Sequence, residues 1–583
     1  MSVKLKIPGS KSVANRALIL NFLTGEKTIL KNIPPCDDTK YMREGLKKLK
    51  SSEKAVKIYT ENAGTSTRFL TAAAVLTGKK VSIDGSKRMR ERPIRELIDA
   101  LNNLGAKITS SNGYLPLKIT PSKLKGGKIK LPGNISSQYL SAILMIAPFS
   151  KEPIEIEIEQ ELYSKPYVEM TLKMMKEFEL NVENKNYKRF IIKPIKKVSV
   201  PNFYTIESDA SSASYIGAYV ALRANKKVLL ENMNKNSIQG DIKFLSYLEK
   251  MGCKISNKEK GIQIQGPKEL KSLGTIDMNK TPDLVMTFAI LATQAKGKTH
   301  IKNIENLRIK ECDRLQALEN ELKKIGAKIK TTKDSILIEG MEKVKLKKIL
   351  ISTYNDHRIA MSFAILDGII KNVKLQIENP ECVSKSYTTF WRDLEVLKNS
   401  NPPSSVPRNK SQNIILIGLR GSGKTKIGEL LAKKLKFTLI DTDREIEKKE
   451  KMTIKEIVEK KGWKHFRKLE KDMITNLAKT HPSINKTIIS TGGGAILNST
   501  NIKNLQSLGK IIYLHRKPED CVKYTKNTSC RPPLTEEKSP TTEMKKLYKE
   551  RHPLYLKIAN FTLNRTNNAE KDTNRLERAK MIE

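Results

Sequence analysis

Aromatic residues make up only 5% of the 583 residues, with two tryptophans, and cysteine appears six times without a C-x-x-C pair. Cys36, Cys253, Cys312, Cys382, Cys521 and Cys530 are too scattered for a structural zinc site or a disulfide framework. Apolar runs are short. None reaches the roughly 18 residues that a membrane-spanning helix needs, and the first residues contain no apolar signal core. The expectation is a reduced, cytoplasmic setting with no membrane partner. Acidic residues are also few, 62 Asp+Glu against 109 Lys+Arg, for a formal net charge of +47. Such an excess suggests phosphate-rich partners. The lysines, however, are spread through nearly every segment (Lys47, Lys48, Lys323, Lys324, Lys433, Lys434), with no basic tail or aromatic-interleaved block. That pattern describes solvated faces, and no nucleic acid is expected as a partner. A hydrophobic content of 38% excludes a disordered chain, and the length implies several folded units.

An internal repeat organises the first two thirds. Leu101-Asn-Asn-Leu-Gly-Ala-Lys-Ile108, Leu248-Glu-Lys-Met-Gly-Cys-Lys-Ile255 and Leu322-Lys-Lys-Ile-Gly-Ala-Lys-Ile329 each read as a helix end, a glycine and an emerging strand. Gly105, Gly252 and Gly326 stand where a helix C-cap needs a left-handed residue. The spacing predicts a hidden copy, found at Met175-Lys-Glu-Phe-Glu-Leu-Asn-Val182 with Glu179 in the glycine's place. Units of this length are whole helix-and-strand modules. From 398 to 412 the chain becomes Pro/Ser/Asn-rich and reads as a linker. A new α/β unit follows: strand Ile414–Ile417, a glycine-rich loop, an amphipathic helix through Leu435 and a strand Thr438–Ile440.

That loop, Gly418-Leu-Arg-Gly-Ser-Gly-Lys-Thr425, fits G-x-x-x-x-G-K-[ST] between a strand and a helix. Gly418, Gly421, Ser422 and Gly423 let the backbone wrap a nucleotide's phosphates, Lys424 bridges the β- and γ-phosphates, and Thr425 ligates Mg²⁺. Downstream come Asp441-Thr-Asp443, His465-Phe-Arg-Lys-Leu-Glu470, Thr491-Gly-Gly-Gly-Ala495, Arg531-Pro-Pro-Leu534 and Arg551-His-Pro-Leu-Tyr555. In this order they resemble the shikimate kinase family. The resemblance implies ATP with Mg²⁺ as cofactor and shikimate as substrate. It places Asp441 in the Mg²⁺ water shell and Asp443 at the attacking hydroxyl. Arg467 and Arg551 would then hold the carboxylate near Glu470, Gly492, Gly493 and Gly494 would lie against the ring, and Arg531 would sit on the lid over the transferring phosphate. Asp441 is open to a second role as a helix N-cap. The stretch Tyr524–Cys530 lacks the arginine that the family places seven residues before the lid arginine, leaving Tyr524 or a nearby lysine to stack on adenine.

The N-terminal motifs are Pro8-Gly-Ser-Lys-Ser-Val-Ala-Asn-Arg-Ala17, Asn62-Ala-Gly-Thr-Ser-Thr-Arg-Phe69, Arg88-Met-Arg-Glu-Arg-Pro93, Ser136-Ser-Gln-Tyr139, Ser164-Lys-Pro-Tyr167, Pro282-Asp283, Asn306-Leu-Arg-Ile-Lys-Glu-Cys-Asp-Arg314, Asn355-Asp-His-Arg358 and Ser384-Lys385. Together they resemble the 5-enolpyruvylshikimate-3-phosphate (EPSP) synthase family. The resemblance implies a fold of two lobes, each made of three repeated βαβαββ units. The expected division is residues 1–397 for the transferase, with lobes of roughly 1–12 plus 210–397 and 13–209, then the linker 398–412, then residues 413–583 for a kinase with a parallel sheet flanked by helices.

Two phosphates and two carboxylates must share the transferase cleft, which calls for Lys and Arg. By resemblance Lys11, Gly64, Arg92, Gln138, Arg314, Arg358 and Lys385 take phosphoenolpyruvate, with Arg68 shaping that pocket. Lys11, Ser12, Arg16, Ser136, Ser137, Gln138, Ser164, Asp283, Asn306 and Lys310 take shikimate 3-phosphate. Asp283 would deprotonate the 5-hydroxyl, Glu311 would exchange protons with the methylene, and Lys11 would support the charge; no cofactor is implied for this half. Gly64 leaves room that a methyl would fill, so sensitivity to glyphosate is expected. The transferase-then-kinase order, and Arg68-Phe-Leu-Thr71, are similar to the central part of the arom multifunctional polypeptide, placing the chain in chorismate and aromatic amino acid biosynthesis. Two rivals remain: a basic nucleic-acid-binding or P-loop regulatory protein, and a P-loop unit that phosphorylates another small polyol.

Overall fold

The computed structural model describes residues 2–196, 198–341, 348–370, 373–398, 413–479, 486–524, 539–566 and 568–578. The chain divides into two compact units, Met1–Ser400 and Asn401–Glu583. The expected linker 398–412 falls, apart from Lys398, outside the described residues. Among those residues no helix is long and apolar enough to cross a membrane.

The first unit repeats one mixed four-stranded sheet four times. Ala55–Tyr59 pairs parallel with Lys80–Asp84, which pairs antiparallel with Tyr114–Ile119, which pairs antiparallel with Ile108–Ser111. The same order recurs from Gly127–Pro132 to Glu183–Lys185 and from Gly274–Asp277 to Ala327–Thr331. In the remaining copy Val3–Lys6 pairs with Lys227–Glu231, so the first strand of the chain completes a sheet whose other members come more than 200 residues later. Two-stranded parallel pairs, Ile29–Lys31 with Phe203–Thr205 and Lys348–Ile351 with Lys374–Ile377, add to these. The repeated glycines lie where helix turns into strand, with φ of +100° at Gly105, +100° at Gly252 and +82° at Gly326. Glu179 adopts φ +56° at the equivalent place, a strain that a non-glycine residue tolerates only within firm surroundings.

The sheets are amphipathic. Tyr114–Ile119 alternates exposed and buried residues along its length, the period of a strand with one face on a core. Helices such as Val285–Thr293 and Ala210–Ala221 are buried nearly all round, as their small and apolar residues require. Two separate cores result, one built from Leu5, Ile7 and residues 210–397, the other from residues 13–206. Between them the chain crosses near Ser10 and Glu207, where the Ser10 amide donates to the Glu207 carbonyl at 2.7 Å.

The second unit holds a fully parallel five-stranded sheet in the order Thr438–Asp441, Thr487–Ser490, Ile414–Ile417, Lys510–His515, Phe561–Asn564. Ile415 and Ile417 face one core, Ile414 and Leu416 the other. A strand covered on both faces has to be apolar throughout, which is why Ile414–Ile417 reads as a run rather than an alternation.

Candidate functional sites

In the first unit, seven helix starts converge on one cleft. Lys11 and Ser12 open the helix Lys11–Leu23, Gly64 opens Gly64–Val75, Ser137 and Gln138 open Ser137–Ile146, and Ser164 caps Lys165–Glu177. From the other core, Asp283 immediately precedes Val285–Thr293, Arg314 opens Arg314–Lys324, and Arg358 lies in the first turn of His357–Ala364. Helix starts carry a positive field that favours anions, although Ser10, Ser136, Asp313 and Asp356 already accept from first-turn amides in four of them. Lys11, Ser12, Arg16, Gly64, Arg92, Ser136, Ser137, Gln138, Ser164, Asp283, Asn306, Lys310, Glu311, Arg314 and Arg358 all line one cavity of about 60 Å³. Lys385 lines the adjoining mouth, of about 850 Å³, which shares Asp38 and Glu311 with it.

The charges in this cleft already hold one another. Arg314 reaches three carboxylates: Asp283 at 3.0 Å, Glu311 at 2.7 Å and Asp356 at 2.7 Å. Arg358 pairs with the second oxygen of Asp283 at 2.7 Å. Lys11 pairs with Asp38 at 2.9 Å, and Lys385 lies 3.5 Å from Glu311. Burial pushes the Asp283 carboxyl up, but the guanidiniums of Arg358 and Arg314 outweigh it and hold the group below the usual carboxylate range. Glu311 follows the same logic: burial raises it, and Arg314, Lys385 and Arg92 drive it well below. In Lys310, burial lowers the ammonium pKa more than Asp283 restores it.

Arg16 reaches the cavity wall while anchored behind it, and Arg68 sits behind the wall. The Arg16 guanidinium donates to Thr171 Oγ1 at 2.7 Å, to Ser141 and to the Ser12 and Tyr167 carbonyls, and burial brings its pKa down to about 10. Arg68 donates to the carbonyls of Gly64 and Pro93. Both shape the cavity wall from within.

Several residues in this cleft were not picked out by the sequence motifs as site residues. Tyr167 donates its hydroxyl to Asp283 Oδ2 at 3.0 Å from the opposite core. Arg88 donates to the carbonyls of Lys310 (3.0 Å) and Glu311 (3.2 Å), again from one core to the other. Asp241 is buried nearby with Ser211 as donor; burial, then the charge of Asp283, pushes it up to about 7. His357 is fully buried with neither ring nitrogen hydrogen-bonded, and burial, then Lys11 and Arg358, drops its pKa well below the usual value. Tyr167, Arg88 and His357 stand inside quoted motifs, beside residues that were chosen. Asp38 and Asp241 carried no such signal.

In the second unit the phosphate loop has the expected local form. Gly423 caps the helix Lys424–Leu435 at φ +86°, a conformation that costs glycine little. Lys424 Nζ donates to the carbonyls of Gly418 (2.9 Å) and Leu419 (3.0 Å), folding over the loop. Thr425 donates its hydroxyl to Asp441 Oδ2 at 2.8 Å, while Asp441 Oδ1 accepts from the Asp443 and Arg444 amides. Asp441 is therefore an N-cap and a partner of the loop threonine at once.

Beside the loop, Asp443, Arg467, Gly492, Gly493, Gly494 and Arg551 line a small hollow with Glu470, Trp463, Phe466, Ile454 and Arg420. A Cβ on Gly492 would fall 2.7 Å from both Asp443 Oδ1 and Glu470 Oε1, and one on Gly494 would meet the Arg467 guanidinium at 2.3 Å. A Cβ at either place would have to push these charged side chains aside. Arg467 pairs with Glu470 at 2.7 Å, and Arg551 donates to the Gly493 carbonyl at 3.2 Å. Burial raises the Glu470 pKa above the usual range, although Arg467 opposes it. Arg531 lies outside the described residues, as do residues 525–530 of the lid stretch. Tyr524 is described, half exposed, with the Arg516 guanidinium 4.2 Å over its ring. Arg420 and Trp463 line this hollow without standing among the site residues that the motifs imply.

The family pattern described as EPSP synthase (3-phosphoshikimate 1-carboxyvinyltransferase) matches residues 1–394, and that of shikimate kinase matches residues 420–579. A 3-phosphoshikimate 1-carboxyvinyltransferase of Histophilus somni is 41% identical over 423 residues, covering 68% of this chain and 96% of that protein. The pentafunctional AROM polypeptide 2 of Lodderomyces elongisporus is 35% identical over 615 residues, taking in 96% of this chain. The chain spans only 39% of the length of that polypeptide. A solved EPSP synthase from Acinetobacter baumannii has the same fold over 68% of this chain and 95% of its own, with a TM-score of 0.55 at 24% identity.

Proposed function

We propose that this chain, which belongs to the EPSP synthase family and carries a shikimate kinase domain behind it, performs two consecutive reactions: the kinase makes shikimate 3-phosphate from shikimate and ATP, and the transferase moves the enolpyruvyl group of phosphoenolpyruvate to its 5-hydroxyl. The observation that supports this most is the pairing of two carboxylates, Asp283 and Glu311, with Lys11, Lys310, Arg92, Arg314 and Arg358 around one cavity. A base, an acid and enough cations for several oxyanions are within reach of one bound pair of substrates.

In the transferase, Asp283 takes the proton of the 5-hydroxyl as that oxygen bonds to C2 of phosphoenolpyruvate, and a proton held at Glu311 goes to the methylene. Loss of phosphate, with return of a proton from the new methyl group, regenerates the enol. In the empty cleft the arginines suppress the basicity of both carboxylates. The carboxylate and phosphate of phosphoenolpyruvate offer Arg314 and Arg358 new oxyanion partners, and Asp283 and Glu311 gain basicity as they are released.

In the kinase, Asp443 receives the proton of the attacking hydroxyl, Arg467 and Arg551 hold the carboxylate, and the loop amides with Lys424 hold the nucleotide. The oxygens of Thr425 and Asp441, 2.8 Å apart, are hard donors of the kind Mg²⁺ prefers. They fit an ion arriving with ATP: Thr425 and Asp441 would hold it, and it would supply charge neutralisation at the phosphates.

The two half-reactions are tested separately. Lys424→Ala is expected to abolish shikimate phosphorylation, by ~10³-fold or more, and leave the transferase untouched; Asp283→Ala is expected to do the converse. Loss of both activities in either variant, or phosphorylation of gluconate in preference to shikimate, defeats the assignment.

A further inference from the structure

Arg420 occupies the third position of the phosphate loop, between Gly418 and Gly421, and nothing in the loop motif requires an arginine there. Its side chain nevertheless lines the same hollow as Asp443, Arg467, Glu470 and Arg551. Its backbone belongs to the nucleotide side, and its amide nitrogen lies 3.3 Å from where a Cβ on Gly493 would stand. One residue thus spans the seam between the phosphoryl donor and its acceptor.

The charge in the hollow favours a role beyond acceptor binding. Arg467 is paired with Glu470 and Arg551 with the Gly493 carbonyl on the acceptor side, and shikimate brings a single carboxylate for two guanidiniums. Arg420 is a third. Its Nη2 lies 3.2 Å from Glu543 Oε2, in the first turn of the helix Pro540–Ile558. The arginine side chain is 21% exposed and the glutamate 6%. A phosphoryl group carries close to two negative charges and three acceptor oxygens, a better partner for a guanidinium fork than one carboxylate.

We infer that Arg420 is a catalytic residue of the kinase, contacting the phosphoryl group in transit and then holding it as the product ester. The inference rests on the kinase reading above. In the step concerned, the acceptor oxygen bonds to the γ-phosphorus and the bond from that phosphorus to the bridging oxygen of ADP breaks, its electrons staying on ADP. The hydroxyl proton passes to Asp443. Arg420 moves no proton; it balances charge on the non-bridging oxygens throughout.

The test uses the full chain with Arg420→Met and Arg420→Lys. Shikimate and shikimate 3-phosphate are titrated separately, kinase kcat and KM are measured, and ATP binding and transferase rate in the same preparations report on folding. Arg420→Met is expected to lower kcat at least ~10-fold and weaken shikimate 3-phosphate at least ~10-fold, with KM for shikimate within about threefold. Arg420→Lys recovers part of kcat. A rise in KM for shikimate with product affinity intact, or no change in either, overturns the inference. If Arg420→Met fails to bind ATP, Glu543→Gln decides: weakening the Arg420–Glu543 pair without altering the loop keeps or raises affinity for shikimate 3-phosphate, and a loss of it refutes the role. A wild-type chain that neither binds nor phosphorylates shikimate removes the kinase reading itself, a result distinct from any of these.

Discussion

The cleft of the first unit and the hollow of the second are both lined by basic and acidic side chains, yet they are built in different ways. In the cleft, side chains from both cores neutralise one another: Arg314 alone touches Asp283, Glu311 and Asp356. In the hollow, fewer side-chain pairs, Arg467 with Glu470 and Arg420 with Glu543, stand against the bare backbone of Gly492–Gly494. Paired side chains must exchange partners when a ligand arrives, whereas loop amides are already aimed. The cleft should therefore respond to substitution as a network, the hollow as a set of local fits.

The sharpest way to break this contrast is Gly492→Ala. The added methyl would stand 2.7 Å from two carboxylate oxygens, and displacement of Asp443 by even part of an ångström is expected to cost at least ~100-fold in kinase kcat. A steady-state rate near wild type would show that the hollow yields more than its packing implies. Next is Gly64→Ala in the cleft, where the methyl would meet Arg68 Nη1 at 2.7 Å and Arg92 Nη2 at 2.8 Å. An arginine has more torsions with which to turn aside than the short Asp443, so the expected loss is smaller, a rise of about 10-fold in KM for phosphoenolpyruvate, with glyphosate inhibition weakened in parallel. Equal damage from the two substitutions would erase the distinction.

Arg88→Met removes both hydrogen bonds that run from one core to the Lys310 and Glu311 carbonyls. A loss of about 10-fold in transferase kcat/KM is expected, with the kinase rate in the same chain unchanged. The smallest effect concerns pH. His357 has its pKa depressed, first by burial and then by Lys11 and Arg358, so the unfolded chain takes up a proton near pH 6.5 that the folded chain refuses. Stability contributed by neutral His357 is present above that pH and declines as pH falls below it. His357→Gln should therefore flatten the acid side of the transferase melting curve, gaining about 2 °C on wild type between pH 7 and pH 5.5. Parallel curves for the two proteins would place the histidine in contact with water.

Legibility followed distance along the chain. The phosphate loop, its helix and the strand Thr438–Asp441 are local patterns, and so is the helix-glycine-strand repeat, down to Glu179, which takes the glycine's left-handed conformation. The residues that complete the sites were hidden for the same reason. Tyr167 meets Asp283 across 116 residues of chain, and Arg88 meets the Glu311 carbonyl across 223. Neither contact has a spacing that periodicity can register. Arg420 lies inside the phosphate-loop motif, but its place in the hollow depends on Gly493 and on the helix Pro540–Ile558 coming alongside.

By itself the amino-acid order determined the modules: where helices stop, which strands are covered on one face or two, and which segment forms a glycine-rich loop between strand and helix. These follow from backbone sterics and hydrophobic period, which act over a few residues. Tertiary structure decided how Val3–Lys6 joins strands from beyond residue 227, and which cation neutralises Asp283 and Glu311 before a substrate arrives. Charge pairing in a buried cleft depends on distances of a few ångströms between segments hundreds of residues apart, and those distances exist only once both cores have formed.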